Sequence, residues 1–366
     1  MALSRIDTTN MIEDVPQSKI DNNINFRNII INGDMSQAQR GTSESGVTST
    51  GYYTCDRWRT AIATLGTWTM SQDTDVPTGQ GFAKSLKMDC TTADASPASG
   101  DVFILDQYVE GQNLQYLKKG TANAQSLTCS FWVKSNKTGT YILELRDDNN
   151  RTISKSYTID ASNTWEKKTI TYDGDTTGTI DNDNTIGLEV NFWLGAGSNF
   201  TSGTLQTSWD SVTNADRAVG QVNLADNTAN EWYVTGVQLE AGTTASDFEF
   251  LPVDVNTQRC FRYYEVIAEG ANQSISSGAI YNSNTFAARV SYSRKRTAPS
   301  IDQTDGTDYY KFFDGTTRRF SSFSSSLYPT LVATTLVKSP ATVSDNTFGW
   351  IATDDANAYI AFDAEL

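Results

Sequence analysis

Two tryptophans on strand-patterned segments offer the clearest chemistry in this chain. In Ser126-Leu-Thr-Cys-Ser-Phe-Trp-Val-Lys134, the row Leu127, Cys129, Phe131 and Val133 alternates with Thr128, Ser130, Trp132 and Lys134. In Gly187-Leu-Glu-Val-Asn-Phe-Trp-Leu194, the row Leu188, Val190, Phe192 and Leu194 alternates with Glu189, Asn191 and Trp193. Successive strand side chains point to opposite faces, so each segment gives one apolar row to a core and sets one tryptophan among polar groups. An indole face packs on the C–H face of a sugar ring, while carboxylate, amide and ammonium groups take its hydroxyls. Trp132, Trp193, Asn191, Glu189 and Lys134 are therefore the candidate carbohydrate-binding residues. The same pattern also serves a tryptophan covered by a loop, a second domain or a neighbouring subunit.

Other chemistries find less support. The 366 residues include no histidine, which removes the usual general base, the commonest metal ligand and every His-dependent triad. Cys55, Cys90, Cys129 and Cys260 are scattered with no C-x-x-C pair, which predicts buried thiols rather than a zinc or redox motif. The stretch Asp181-Asn-Asp183-Asn-Thr-Ile-Gly187 resembles a calcium loop only at its start, because Ile186 stands where glycine is needed and Phe192 where glutamate is needed. Gly195-Ala-Gly197 lacks the third glycine of a dinucleotide site. The 43 Asp and Glu residues leave paired carboxylates for glycoside cleavage available in principle, with Asp106 and Glu110 beside Tyr108 as one example, but no pair stands out. Arg294-Lys295-Arg296 reads as a solvated strand end. A formal charge of −15 argues against nucleic acid, whose phosphates need clustered Lys and Arg. No apolar run approaches the ~18 residues of a membrane span, so no membrane insertion is expected. The polar, mixed-charge N-terminus does not read as a signal peptide, which predicts folding in a cytoplasm.

The elements that must position these residues are short strands. Hydrophobic content of 38% with 11% aromatics suffices for packed cores, and the length favours two domains. Residues 1–25 have few large apolar side chains and no periodicity, which predicts an extended arm. Leu3, Ile6, Met11, Ile12, Val15 and Ile20 are its candidate docking residues. Residues 26–252 show β-runs at 56–59, 83–88, 102–109, 127–133, 141–145, 169–172, 188–194 and 233–239, between turn clusters such as Asp173-Gly-Asp-Thr-Thr-Gly178. That rhythm predicts a jelly-roll β-sandwich. Residues 253–265 read as a short helix or linker. In residues 266–366 the alternation returns: Phe286, Ala288, Val290 and Tyr292, then Ile360, Phe362 and Ala364 near the end, predicting a smaller C-terminal β-sandwich. The expected fold class is thus all-β, and the lack of a fixed repeat argues against a parallel β-helix.

A resemblance sharpens this reading. It rests on Asn28-Ile-Ile-Ile-Asn-Gly-Asp-Met-Ser-Gln-Ala-Gln-Arg40, Tyr53-Thr-Cys-Asp-Arg-Trp58, Leu127-Thr-Cys-Ser-Phe-Trp-Val-Lys-Ser135, Gly139-Thr-Tyr141, Thr164-Trp-Glu-Lys-Lys-Thr-Ile170, Val234-Thr-Gly-Val-Gln-Leu-Glu-Ala-Gly242 and Gln258-Arg-Cys-Phe-Arg-Tyr-Tyr264. In this order they resemble the tail-fibre or receptor-binding virion proteins of marine and cyanobacterial phages. The opening Asn32-Gly33-Asp34, after a buried run at 29–31, resembles the first strand of family 4/9/22-type carbohydrate-binding modules. The resemblance implies a homotrimer around a long axis and an arm that attaches to other virion proteins in the tail, an adaptor or the capsid. It also implies sandwiches that reach host surface polysaccharide. The protein would then be an external virion appendage and not an enzyme, with no cofactor. The calcium-ligating Asp such modules carry before their last strand is replaced by Val234-Thr235-Gly236-Val237, so structural calcium lacks support. Two other functions are weighed against this one: a polysaccharide depolymerase or glycosidase, and a decoration or adaptor protein binding only virion proteins.

Overall fold

The computed structural model describes residues 26–282, 285–338 and 347–366. The arm expected over residues 1–25, with Leu3, Ile6, Met11, Ile12, Val15 and Ile20, lies outside the described residues. The protein is all-β, with brief helical turns. It divides into two compact units. Among the described residues, the first comprises the chain to Ser36 together with Ser43–Tyr53 and Trp58–Leu251; the second comprises Gln37–Thr42, Thr54–Arg57 and Pro252–Leu366. The division expected from sequence is contiguous, whereas the second unit draws two short pieces from far upstream.

In the first unit the strands are β1 (Ser43–Val47), β2 (Gly51–Tyr52), β3 (Arg59–Ala63), β4 (Thr67–Asp73), β5 (Ser85–Thr92), β6 (Val102–Glu110), β7 (Leu127–Ser135), β8 (Gly139–Asp147), β9 (Arg151–Ile159), β10 (Glu166–Tyr172), β11 (Ile186–Ala196), β12 (Asp210–Ser211) and β13 (Glu231–Ala241). They form two antiparallel sheets, ordered β1-β4-β5-β13-β7-β10 and β12-β9-β8-β11-β6-β3-β2. The apolar rows of β7 and β11 face each other. Phe192 sits at the centre, touching Phe131 at 5.1 Å, Trp232 at 5.8 Å and Trp58 at 6.1 Å between ring centroids. These rings are fully buried, and each contributes about 1.5–3 kcal/mol or more by leaving water.

The expected opening strand at residues 29–31 is not a regular strand. It stands in for one. β5 pairs only with the first part of β13, up to Val234, and β13 then bulges between Thr235 and Gln238. Beyond the bulge the opening segment takes over: the Ile29 amide donates to the Leu239 carbonyl (2.8 Å) and the Val237 amide to the Gly33 carbonyl (2.9 Å). Asn28 closes the gap, its Nδ2 donating to the Val237 carbonyl and its Oδ1 accepting from the Leu239 amide. The approach demands glycine at position 33, where a Cβ would lie 2.0 Å from the Val237 oxygen.

After its two upstream pieces, the second unit continues with α1 (Val253–Phe261), where the sequence predicts a short helix or linker. Its strands are β14 (Tyr264–Glu269), β15 (Ser274–Asn282), β16 (Thr285–Ser291), β17 (Ser300–Gln303), β18 (Tyr310–Phe313), β19 (Thr317–Phe320), β20 (Ser325–Leu327), β21 (Ala333–Lys338), β22 (Phe348–Thr353) and β23 (Tyr359–Asp363). They form sheets ordered β14-β23-β17 and β19-β18-β22-β15-β16-β21-β20 around Ile280, Phe286, Val290, Phe312, Leu336, Ile351, Ile360 and Phe362. The upstream pieces clasp the chain end. Arg40 bonds Glu365 (3.3 Å) and Asp363 (3.2 Å) with its guanidinium 3.4 Å above the Tyr264 ring, and Arg57 bonds Glu365 and covers Tyr263.

Residues 294–296 are not a uniformly solvated strand end. Lys295 is buried against Glu265 (2.9 Å) and the Phe261 carbonyl, and Arg296 donates to the Ala364 and Glu365 carbonyls.

Candidate carbohydrate-binding face

The facing apolar rows decide where the two candidate tryptophans go. Trp132 and Lys134 lie on the outer face of the first sheet; Trp193, Asn191 and Glu189 lie on the outer face of the second. The sandwich thickness separates the two groups, so the five predicted residues do not form one site.

The second sheet's outer face is occupied. Trp193 is 0% exposed and packs on Phe200 of the single helical turn Ser198–Thr201, with Ile104, Ile142 and Ala218 around it. Its indole N–H donates to Glu144 Oε2 (3.0 Å). The same carboxylate receives both arms of Arg217 (2.7 and 2.8 Å), Thr152 Oγ1 (2.8 Å) and Asn191 Nδ2 (3.2 Å). Burial alone raises a carboxyl pKa, but the Arg217 charge and these hydrogen bonds outweigh it and hold Glu144 below the usual range. Trp193 and Asn191 therefore belong to a second core and offer no surface for a sugar, which corrects the expectation for both. Glu189 is half-buried beside them, its carboxyl pushed up by burial despite Arg146 at 3.6 Å. Asp106 is held by both arms of Arg59 (3.0 and 2.7 Å). The sequence contained a warning: Ile104 and Ile142 interrupt the outward rows of β6 and β8 and need an apolar cover.

The first sheet's outer face is partly open on one side: Trp132 and Trp165 are half-buried there, whereas Lys134 and Tyr233 are buried among company that sequence reasoning missed. Register places Thr235 and Lys167 beside Trp132, and Tyr233 beside Lys134. Trp165, just before β10, meets Tyr233 edge-on with centroids 6.1 Å apart, and the Lys134 ammonium lies 4.1 Å from the Tyr233 ring centre. From the loop between β4 and β5, Asp75 accepts from Trp165 Nε1 (2.8 Å) and pairs with Lys134. On the far flank Lys87 pairs with Glu231 (2.7 Å), which accepts from the Tyr233 hydroxyl (3.0 Å). Burial pushes the Tyr233 phenol up to about 12. Asp75 is held below its ordinary value because bonds from Lys134 and Trp165 outweigh its partial burial. Trp132 and Trp165 remain partly exposed among these charges. Tyr233 was legible: it shares a row with Glu231 and Thr235, opposite Trp232 and Val234.

The other side of this face is closed. Residues 242–251 fold over it, with Gln238 Nε2 bonding Ser246 Oγ (3.0 Å) and the Glu249 amide donating to Gln238 Oε1 (2.8 Å). Phe82, Phe248 and Phe250 pack together there, with centroids about 5 Å apart, over Gly236.

No protein-family model matches the sequence, and no curated protein matches it. Similar solved structures include the enzymatically active domain of tailspike protein 4 from bacteriophage CBA120, at 14% identity and a TM-score of 0.30. That match covers 59% of this chain but only 21% of the tailspike domain. A family 11 carbohydrate-binding module from Clostridium thermocellum, in complex with a β-1,3-1,4-mixed-linked tetrasaccharide, is similar at 10% identity and a TM-score of 0.28, over 56% of this chain and 99% of the module. The module TmCBM61, in complex with β-1,4-galactotriose, is similar at 11% identity and a TM-score of 0.30, over 59% and 99%.

Proposed function

We propose that the first unit binds carbohydrate through the open face carrying Trp132, Trp165, Tyr233, Lys134, Lys87, Asp75 and Glu231. The carrying observation is the Trp165–Tyr233 pair, held from both flanks by the Asp75–Lys134 and Lys87–Glu231 ion pairs. Trp165 and Trp132 keep part of their surface open to a sugar ring, the buried Tyr233 against which Trp165 packs holds it in place, and the paired charges offer oriented donors and acceptors to the hydroxyls. The ligand is host surface polysaccharide, bound without catalysis. The chain works as an external virion appendage of a phage, a tail fibre or fibre-like receptor-binding protein, assembled as a homotrimer and attached to other virion proteins through residues 1–25. The order of the sequence motifs from Asn28 to Tyr264 supports this part of the reading.

The test is a glycan array read together with host adsorption of particles carrying Trp165→Ala. Loss of both signals with an unchanged melting temperature supports the reading. Retention of both, with normal infection, refutes it.

A further inference from the structure

We infer that the second unit carries a weak glycan-binding platform of its own, on the outer face of its seven-stranded sheet, for an uncharged polysaccharide. Strands β18, β22 and β15 build it. Phe312 and Ile351 point into the core, so Phe313, Phe348 and Trp350 point outward. Phe348 is 78% exposed and Trp350 41%. The solvent face of an antiparallel sheet is ordinarily polar, and large rings left in water there mark a contact surface.

Phe313 lies opposite Trp350 in the β18–β22 register, with ring centroids 5.5 Å apart. On the other flank Trp350 faces Ser277, and Phe348 faces Ala279, which in turn lies beside Ala287 on β16. The rings therefore stand above a shelf of small side chains two strands wide, roughly 10 Å. Phe348 and Trp350 are two residues apart on one strand, about 7 Å along it. A shelf bordered by rings at two successive positions suits an extended chain of sugars, each with a C–H face toward an aromatic ring.

Polar groups with fixed partners rim the rings. The Lys311 ammonium lies 5.9 Å from the Trp350 ring centre and bonds Asp354 (2.8 Å) and Asn272 Oδ1. Arg319 donates to the other oxygen of Asp354 and also feels Asp308, while Arg289 stands exposed beyond the shelf. Three cations against two carboxylates leave these groups near balance, in a chain of formal charge −15. Held donors and acceptors of this kind serve hydroxyls, and a nearly balanced face gives a charged ligand little advantage. Copies of the chain repel one another through their shared charge, which favours an uncharged glycan over a second copy as occupant of this face. The saccharide class extends the reading of the first unit, but the residues are separate.

The experiment is calorimetric titration of the full chain with neutral β-1,4-glucan, β-1,4-galactan and mannan oligosaccharides, and with oligogalacturonate as the acidic counterpart. Two rings on an open face give an affinity of about 1 mM, too weak to survive the washing of an array. Trp165→Ala should therefore retain binding of a neutral oligosaccharide in titration, unchanged as salt rises. Adding Trp350→Ala should weaken it about tenfold, and adding Phe348→Ser as well should remove it. Hydroxyl-radical footprinting should show Phe348 and Trp350 shielded by the sugar. Both rings are exposed, so thermal midpoints close to the parent's confirm that the variants fold. No binding of any of the three neutral oligosaccharides overturns the proposal, as does binding that Phe348→Ser/Trp350→Ala leaves unchanged. Preference for oligogalacturonate overturns the uncharged class. An oligomer, read by light scattering, that dissociates in Phe348→Ser/Trp350→Ala while sugar binding persists assigns the face to a second copy and overturns the proposal too. A Trp165-dependent array signal without Trp350-dependent titration leaves the first site standing and removes this one; the converse keeps this one and removes the first.

Discussion

Phe131 and Phe192 meet edge to face between the two sheets, with centroids 5.1 Å apart and ring planes at 90°. This one contact fixes which row of β7 and of β11 points inward. The tryptophan that follows each phenylalanine must then point outward, on opposite sides of the sandwich. Replacing Phe131 by Ala removes a fully buried ring from a cluster that also includes Tyr157. The expected loss is about 3–5 kcal/mol in chemical denaturation of the first unit.

The two outward tryptophan environments should separate in experiment. Trp165→Ala is expected to weaken glycan binding roughly tenfold or more while moving the melting temperature little, since the ring is partly exposed. Trp193→Ala should cost about 3–5 kcal/mol of stability, because it empties a buried site and leaves Glu144 one donor short. Comparable stability for the two variants would contradict the assignment of Trp193 to a core.

Acid should loosen the Glu144–Arg217 pair. The folded pKa of Glu144 lies below its ordinary value of 4.5, so the pair adds stability above that pH and loses it as pH falls through the folded pKa. Arg217→Met should therefore cost about 3–5 kcal/mol near pH 7, with the gap to the parent closing as the medium becomes acidic. Glu189 acts in the opposite sense: its raised folded pKa makes stability grow as pH falls through it, so Glu189→Gln should stabilise at neutral pH. Denaturation midpoints across a pH series measure both.

All four cysteines are buried free thiols. Burial pushes the Cys90 thiol up to about 11 and Cys129 higher still, leaving almost no thiolate at neutral pH. A thiol reagent should therefore label the native protein very slowly and all four positions after unfolding in guanidinium. Rapid labelling of the native state would speak against the packing around them.

Gly33 tests the opening segment. Gly33→Ala sets a methyl against the Val237 carbonyl and should cost more than 2 kcal/mol, well beyond the ~0.5–1 kcal/mol that alanine gains over glycine elsewhere. Hydrogen exchange should quicken first at the Val237 and Leu239 amides.

Alternation carried most of what the sequence revealed. The rows of β7, β11, β16 and β23 were legible because each strand sets a continuous apolar row against a polar or mixed one. Residues 29–31 were harder: their composition matches a strand, but their bonds run partly through Asn28 and Gln107 side chains, which no period encodes. The site was half legible. Trp132 and Lys134 belong to the open face, whereas Trp193 has the same local pattern and is covered by a segment more than five residues downstream. Trp165 precedes its strand, where alternation gives no direction, and its partner Asp75 is 90 positions away.

The clasp around Glu365 bears on how this protein can be cut and recombined. Arg40 and Arg57 are interposed in the chain of the first sandwich yet are built into the second. A fragment starting at Pro252 would carry Glu365 and Asp363 without their cations and Tyr263 and Tyr264 without their covers. The two bodies are stitched together in synthesis order, and neither is a cassette that gene fusion can lift out whole.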